Sequence, residues 1–427
     1  MMIFRHFFTN KGTGDILFFK SLVFGILIWI FFHLVTPLDV VNPLSWSTIM
    51  YIICNYLAIM GGYVVAKVCF RNKQVKEEKV VVGGAFFKVM LILILTSSLI
   101  RYVDLFFVRD VSFTNAISSN KYNLAQAENF SIVLGLLGSL RILYFVPYLF
   151  YTIQKKTNLK LLVICLLLFL VPMVEGYLRG SRRLIFEPIA ILITIIMVFN
   201  YTKLFSKSAI LVTLLGLLLV MPISNFILKE RVDQWSSEAF LERMQKAPYN
   251  KFVPIQASTK DFILEHRNNW KGSVAFNAVH LGQYITHGVY EFDYLQSQKP
   301  TKKKGLYNSF VLVKLSNKLG LTKIPLDSLM NPTGRVTYIT FFGGQFLDFG
   351  WFSLVVMFFY GGIQNRAFIF GEKNDYLKPI TVVFIFTNVF LLVFNFMRAQ
   401  MLVVLILYLL MYVLLRTFES RKLRMKL

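Results

Sequence analysis

The sequence predicts an all-α, polytopic integral membrane protein with about ten transmembrane helices and one long extracytoplasmic loop. Three observations predict it. The 427-residue chain is 56% hydrophobic and only 16% charged, with a mean hydropathy of +0.60, whereas a soluble globular chain carries about 25% charged residues. Apolar stretches recur along it at close to the roughly 20 residues that cross a bilayer. Lys and Arg gather in alternate loops between those stretches, as cytoplasmic loops do. With so few charges to cover a water-facing surface, a soluble enzyme and a disordered chain are both excluded. The formal charge of +24 would suggest nucleic acid in a soluble protein. Here it belongs to loops beside anionic lipid, and no nucleic-acid partner is expected.

In chain order the expected spans are 16–37, 47–70, 80–102, 130–152, 159–178, 184–202, 206–226, 350–367, 379–396 and 399–416. The first is too long for a signal-peptide core and has no small-residue cleavage site after it, so it reads as a retained helix. Starting from Arg5 and Lys11 inside, the even loops carry Arg71 to Lys79, Lys155 to Lys160, Lys203 and Lys207, and Arg366 to Lys378. The tail from Arg416 to Lys426 is basic as well. Both termini are therefore expected in the cytoplasm. The chain divides into a membrane domain over 1–226, a long extracytoplasmic loop over 227–349, and a last helical part with a basic tail over 350–427. Cys54, Cys69 and Cys165 all lie in or beside apolar segments, which speaks against a disulfide framework or a structural zinc site.

The loop that joins the fifth and sixth spans runs Glu175-Gly-Tyr-Leu-Arg179-Gly-Ser-Arg182-Arg183-Leu-Ile-Phe-Glu187. Arginines in a short external loop oppose the positive-inside bias. Guanidinium forks suit phosphate oxygens and keep their charge, so Arg179, Arg182 and Arg183 are candidates for a diphosphate cradle, with Gly180 and Ser181 turning the backbone. The structural alternative is local pairing at i,i+4, Glu175 with Arg179 and Arg183 with Glu187, which leaves Arg182 unpaired. Arg335 and Arg398 stand at other expected external positions. Each is a candidate for the same anionic site or a simple headgroup anchor.

The long loop holds apparent helices between its prolines. Ser258-Thr-Lys-Asp261 resembles a capping-box helix start, and Thr301-Lys-Lys-Lys304 reads as a solvated turn. Further on, His280, Tyr284, His287 and Glu291 follow spacings of 4, 3 and 4, which place all four on one helix face. Two imidazoles, a phenol and a carboxylate can move protons or bond sugar hydroxyls. His287, His280 and Glu291 are the catalytic candidates, and Tyr284 is a substrate-binding one. The alternative is a satisfied interfacial helix. Metal chelation is not expected, since histidines seven apart lie about 10 Å apart along a helix axis. In the stretch from Asn331 to Phe352, Gly343-Gly344 and Asp348-Phe-Gly350 interrupt an apolar run. It reads as a short re-entrant helix, a break and a true span, with Asp348 either a substrate-binding base or the N-cap of the next helix.

With the Arg179-Gly-Ser-Arg182-Arg183 loop, the Gln283-Tyr-Ile-Thr-His287-Gly…Glu291 run, and Thr337-Tyr…Asp348-Phe-Gly350 before a span ending Gly361-Gly362, the chain resembles the O-antigen polymerases, or oligosaccharide repeat unit polymerases. The resemblance covers the architecture of most of the chain, and short patches carry it in sequence. It implies a bacterial inner-membrane glycosyltransferase that takes undecaprenyl-diphosphate-linked glycans as donor and acceptor at the outer leaflet. It also implies membrane lipid around the chain, no cofactor or metal, and a polysaccharide chain-length regulator as a possible partner. The rivals are an O-antigen ligase, a metal-dependent lipid-sugar glycosyltransferase, a lipid-linked glycan flippase or other transporter, and a membrane scaffold. The first external loop holds only Asp39 as an acid, and no internal repeat is evident.

Overall fold

The computed structural model describes residues 13–70, 80–115, 117–126, 132–199, 248–266, 269–330 and 338–424. Among them the chain is mostly helical and forms no strand. The principal helices are α1 (Thr13–Val35), α2 (Trp46–Cys69), α3 (Gly84–Val103), α4 (Phe145–Ile153), α5 (Leu159–Leu178), α6 (Arg182–Phe199), α7 (Trp270–Ser297), α8 (Phe341–Phe349), α9 (Ser353–Lys373), α10 (Lys378–Val389) and α11 (Leu402–Arg424).

Where the sequence predicts ten spans, six helical stretches among the described residues are long and apolar enough to cross a membrane: Thr13–Val35, Trp46–Cys69, Gly84–Val108, Val133–Ile153, Leu159–Leu178 and Phe341–Lys373. A shorter apolar stretch follows at Leu402–Thr417. The expected span 206–226 lies outside the described residues. The span expected at 184–202 is helical as α6 but opens on Arg182 and Arg183. The one expected at 379–396 is helical only to Val389.

The chain packs as two compact units, which cut across the division made from topology. The first comprises Met1–Glu78, Ser236–Lys373 and Val383–Leu405; the second comprises Lys79–Trp235, Asn374–Val382 and Ile406–Leu427.

In the first unit α2 and α9 cross backbone to backbone. A Cβ at Gly62 would run into the Phe358 carbonyl, and one at Gly361 into the Ile59 carbonyl. Lipid tails are as apolar as leucine, so helices in a bilayer associate through close packing of this kind. Their neighbour α1 adds aromatic contact and buried polar pairs. Phe18 stacks on Tyr63 at 3.8 Å, the Tyr63 hydroxyl donates to Asp15 at 2.9 Å, and Lys67 pairs with Asp15. Higher on α1, Ser21 accepts from Asn388, whose amide pairs reciprocally with Gln364. Polar side chains are tolerated among apolar helices when each finds a partner in this way.

The predicted helix, break and span are present as α8, a break at Gly350 with φ 60°, and α9. Three expectations in this region are corrected. Gly343 and Gly344 do not interrupt α8. They sit inside it, where a Cβ would press on Phe292 and Asn395. Asp348 is not the N-cap of the next helix. It lies in the last turn of α8 and accepts from the Tyr307 and Asn308 amides, both at 3.0 Å, and from Asn308 Nδ2 at 2.6 Å. Thr301 to Lys304 is more than a solvated turn. Lys302 Nζ, Lys303 N and Lys304 N donate to the carbonyls of Phe346, Leu347 and Asp348 in the last turn of α8, where carbonyls run out of helical partners. The Ser258-to-Asp261 capping box is also corrected. That helix runs Ala257–Glu265 with Gln256 at its N-cap and no side-chain cap bond, so Ser258 lies inside it.

In the second unit α3 continues as a π-helical turn, Asp104–Val108, and the stretch before α4 is a 3₁₀ turn, Gly138–Leu143. α5 and α6 form a hairpin. α5 ends on Arg179 with Gly180 at φ 58°. The Gly180 amide then reaches the Tyr177 carbonyl and the Ser181 amide the Gly176 carbonyl, which is a Schellman ending. This turn starts α6 at Arg182, as Gly180 and Ser181 promised.

Candidate functional site

The hairpin ends in the second unit at a charge cluster. Glu175, in the last turn of α5, is buried, with 4% of its side chain exposed. The pair predicted with Arg179 forms at 3.0 Å, but two further guanidiniums converge on the same carboxylate. Arg101 of α3 reaches Oε1 through Nε and NH2, and Arg141 of the 3₁₀ turn reaches both oxygens. Arg101 also pairs with Asp104, which Arg109 shares at 2.9 Å. Among these described residues four guanidiniums face two carboxylates. A buried carboxylate surrounded by cations is held strongly, since losing it leaves desolvated positive charge with nothing opposite.

The three arginines on Glu175 are not equivalent. Arg101 and Arg141 side chains are 12% and 20% exposed, and Arg179 is 41% exposed. Arg141 spends NH1 on the Gly138 carbonyl and the rest of its fork on Glu175. Arg179 gives a single NH1 bond to Glu175. Arg179 is thus the member with donors turned outward, and Arg101 and Arg141 supply charge behind it. Arg183 acts electrostatically on Glu187, in keeping with the i,i+4 pairing. Arg182 is corrected: it is engaged as well and is not left without a partner.

In the first unit the polar face forms as spaced. His280, Tyr284, His287 and Glu291 all lie on α7, which begins at an Asn269 N-cap. His280 and Tyr284 are half-buried, and His287 and Glu291 are fully buried. Gly282 and Gly288 admit close neighbours, Gly282 taking Thr36 and Gly288 the Val393 carbonyl. His280 stacks on Phe276 at 5.5 Å. His287 is ringed by Tyr249 at 4.2 Å, Tyr338 at 4.4 Å and Tyr284 at 6.2 Å. Its Nδ1 lies 2.9 Å from the Gln283 carbonyl. A carbonyl only accepts, so Nδ1 carries the proton and Nε2 presents a lone pair.

Burial pushes the His287 imidazole down from 6.5 to about 4, so the ring is neutral at pH 7. Between those values the unfolded chain binds a proton that the folded protein refuses. His287 therefore contributes stability that is full above about pH 6.5 and is lost as pH falls toward 4, a window worth up to about 3 kcal/mol. Melting temperatures across that range should fall less steeply in His287→Phe than in the wild type. Parallel curves would contradict the assignment.

Arg398 lies in a π-helical turn, Met397–Met401, that leads into α11. Its guanidinium sits over the Tyr307 and Phe310 rings at 4.3 and 4.6 Å and donates to the Leu329 carbonyl. Asp348 is taken up by Tyr307 and Asn308, as described, which supports a structural role. Arg335 lies outside the described residues. Among them, no group of three or more His, Cys, Asp or Glu side chains gathers that could hold a metal ion. Sequence reasoning missed Arg101, Arg141 and Tyr249. The first two carried a signal, since a charge inside an apolar helix is costly and marks a function by default.

Comparison of the chain with protein-family models, curated proteins and solved structures found no match.

Proposed function

We propose that the protein is a membrane glycosyltransferase that polymerises undecaprenyl-diphosphate-linked oligosaccharide repeat units into a surface polysaccharide at the outer leaflet of a bacterial inner membrane. One observation carries this reading: among the described residues three guanidiniums, those of Arg101, Arg141 and Arg179, converge on the single buried carboxylate of Glu175. A surplus in a water-poor setting calls for an anion, and arginine forks match phosphate oxygens in geometry.

The chemistry asks for such a site. An acceptor sugar hydroxyl attacks the anomeric carbon of the donor glycan, the bond from that carbon to the diphosphate oxygen breaks, and the lipid diphosphate leaves with the electron pair. The hydroxyl proton passes to a base. Negative charge grows on the leaving group, and fixed cations stabilise it more in the transition state than in the ground state. Arg179 is assigned the first phosphate contact, with Arg182 beside it in sequence.

Reconstitution with a lipid-diphosphate-linked repeat unit as the sole glycan tests the reading. A ladder of lengthened products supports it. Transfer only to a lipid A-core acceptor means a ligase, and movement across the bilayer without bond formation means a transporter. In the ladder assay Arg179→Ala is expected to lower the rate on the order of 100-fold with little loss of stability, its side chain being 41% exposed. Arg179→Ala at the wild-type rate would remove the assignment.

A further inference from the structure

We infer that the turn 319–323, which closes the helix Phe310–Lys318, is a lipid anchor. Its two leucines enter the headgroup layer of the bilayer, and the lysines on either side bind the phosphates of anionic lipid.

Charge selects the partner. Between Asp293 and Asp327 the chain carries seven lysines and no acidic residue. Lys314, Lys318 and Lys323 are exposed, and so are Leu319 and Leu321. Single exposed leucines need no explanation. These two differ because the backbone fixes them outward. The helix closes in a Schellman ending: Gly320, at φ 71°, donates to the Asn317 carbonyl at 3.1 Å, and Leu321 N donates to the Ser316 carbonyl at 3.0 Å. In that motif the residue after the glycine frequently packs back on an apolar residue of the last helical turn. Here Ser316 faces it, and Leu321 stays 74% exposed. Asn317 locks the tip from the other side. Its Nδ2 donates to the Ile324 carbonyl at 2.7 Å, and its Oδ1 accepts from Ile324 N at 3.1 Å and from Thr322 Oγ1 at 2.7 Å. A tip ordered by its own hydrogen bonds loses little further entropy when it binds.

The foot of the segment fixes its level. Val313 is buried, the Phe310 ring lies under the Arg398 guanidinium, and Arg398 donates to the Leu329 carbonyl at 2.8 Å. Earlier in the segment, the Tyr307 and Asn308 amides hold Asp348 at the end of α8. Lys302 passes so close to Gly350 that a Cβ there would meet its Cε at 3.0 Å. The next two residues, Trp351 and Phe352, are exposed. They lie in the stretch Phe341–Lys373, which is long and apolar enough to cross a membrane. Aromatic side chains gather at membrane–water interfaces, so this end of α9 marks that level and the lysine-rich segment rests beside it. An apolar tip at such a depth meets headgroups, and lysine stems lie along apolar surface while their ammonium groups reach phosphate. Each lysine near an anionic surface adds an attraction that neutral lipid does not supply.

The test places the full chain in nanodiscs of phosphatidylcholine alone and of phosphatidylcholine with phosphatidylglycerol. An environment-sensitive dye is attached at Leu321→Cys in a Cys54→Ser, Cys69→Ser background, and lipids spin-labelled near the headgroup serve as quenchers. Quenching should be strong with phosphatidylglycerol and weak without it. Adding Lys318→Gln and Lys323→Gln should weaken the association on the order of fivefold for each lysine, which brings quenching down to the phosphatidylcholine level. If a variant fails to fold, acetylation of the wild-type lysines read by mass spectrometry decides. Phosphatidylglycerol should then protect Lys318 and Lys323 by a larger factor than it protects the other exposed lysines. A dye that stays in water in both lipids, quenching that ignores phosphatidylglycerol or the two lysines, or uniform acetylation would overturn the inference. So would a dye shielded in detergent in proportion to protein concentration, because a second copy would then cover the tip. Each of these failures leaves the proposed glycan chemistry untouched.

Discussion

Glu175→Gln is expected to destabilise the protein by about 3–5 kcal/mol, the range for removing one member of a buried ion cluster. The replacement keeps the shape of the side chain and removes its charge. Arg101, Arg141 and Arg179 then face one another across a neutral amide, with Asp104 alone to oppose Arg101. Cys165 is fully buried on α5, whereas Cys54 is half-buried and Cys69 exposed, so in a Cys54→Ser, Cys69→Ser background a thiol-reactive dye reads the unfolding of this unit. Its melting temperature should drop sharply in Glu175→Gln and recover in part when Arg141→Gln removes one of the stranded charges. An unchanged melt in the single variant would mean that the cluster is solvated and that the carboxylate is dispensable.

The second large effect is expected at the α2–α9 crossing, and it discriminates between adjacent glycines. A Cβ at Gly62 or Gly361 would occupy the position of a carbonyl oxygen on the facing helix, whereas at Gly61 and Gly362 it would meet its neighbours at 3.9 and 3.7 Å, which is ordinary contact. Gly62→Ala and Gly361→Ala should therefore cost about 4 kcal/mol or more, since the backbones must separate along the whole crossing. Gly61→Ala and Gly362→Ala should behave as wild type. Yield and monodispersity of the four purified variants check this. Equal tolerance within either pair would contradict the crossing.

These two sites also mark what the sequence could and could not disclose. Periodicity placed His280, Tyr284, His287 and Glu291 on one face of a helix, because that rule depends only on local geometry. The Glu175–Arg179 pair and the tight turn at Gly180 were legible for the same reason. Arg101 and Arg141 were not, because they lie 74 and 34 residues from Glu175 in the chain and only the packing of three helices brings them to it. Asp348 misled for a related reason. An acid before a glycine near a helix start is a sound local cue for an N-cap, but the amides that claim it come from a loop 40 residues earlier. Gly343-Gly344 looked like a helix breaker, and the pair instead admits Phe292 and Asn395. Local pattern thus foretold several of the helices, and non-local contact decided which side chains meet.

The most direct test of the central claim is retention of undecaprenyl diphosphate by the purified protein in native mass spectrometry, with undecaprenyl monophosphate as the competitor. The account predicts that the wild type keeps the diphosphate in preference to the monophosphate. It further predicts that Arg179→Ala loses that preference while its mass and melting temperature stay intact. Equal retention of both lipids by the wild type, or a preference that survives in Arg179→Ala, would contradict it.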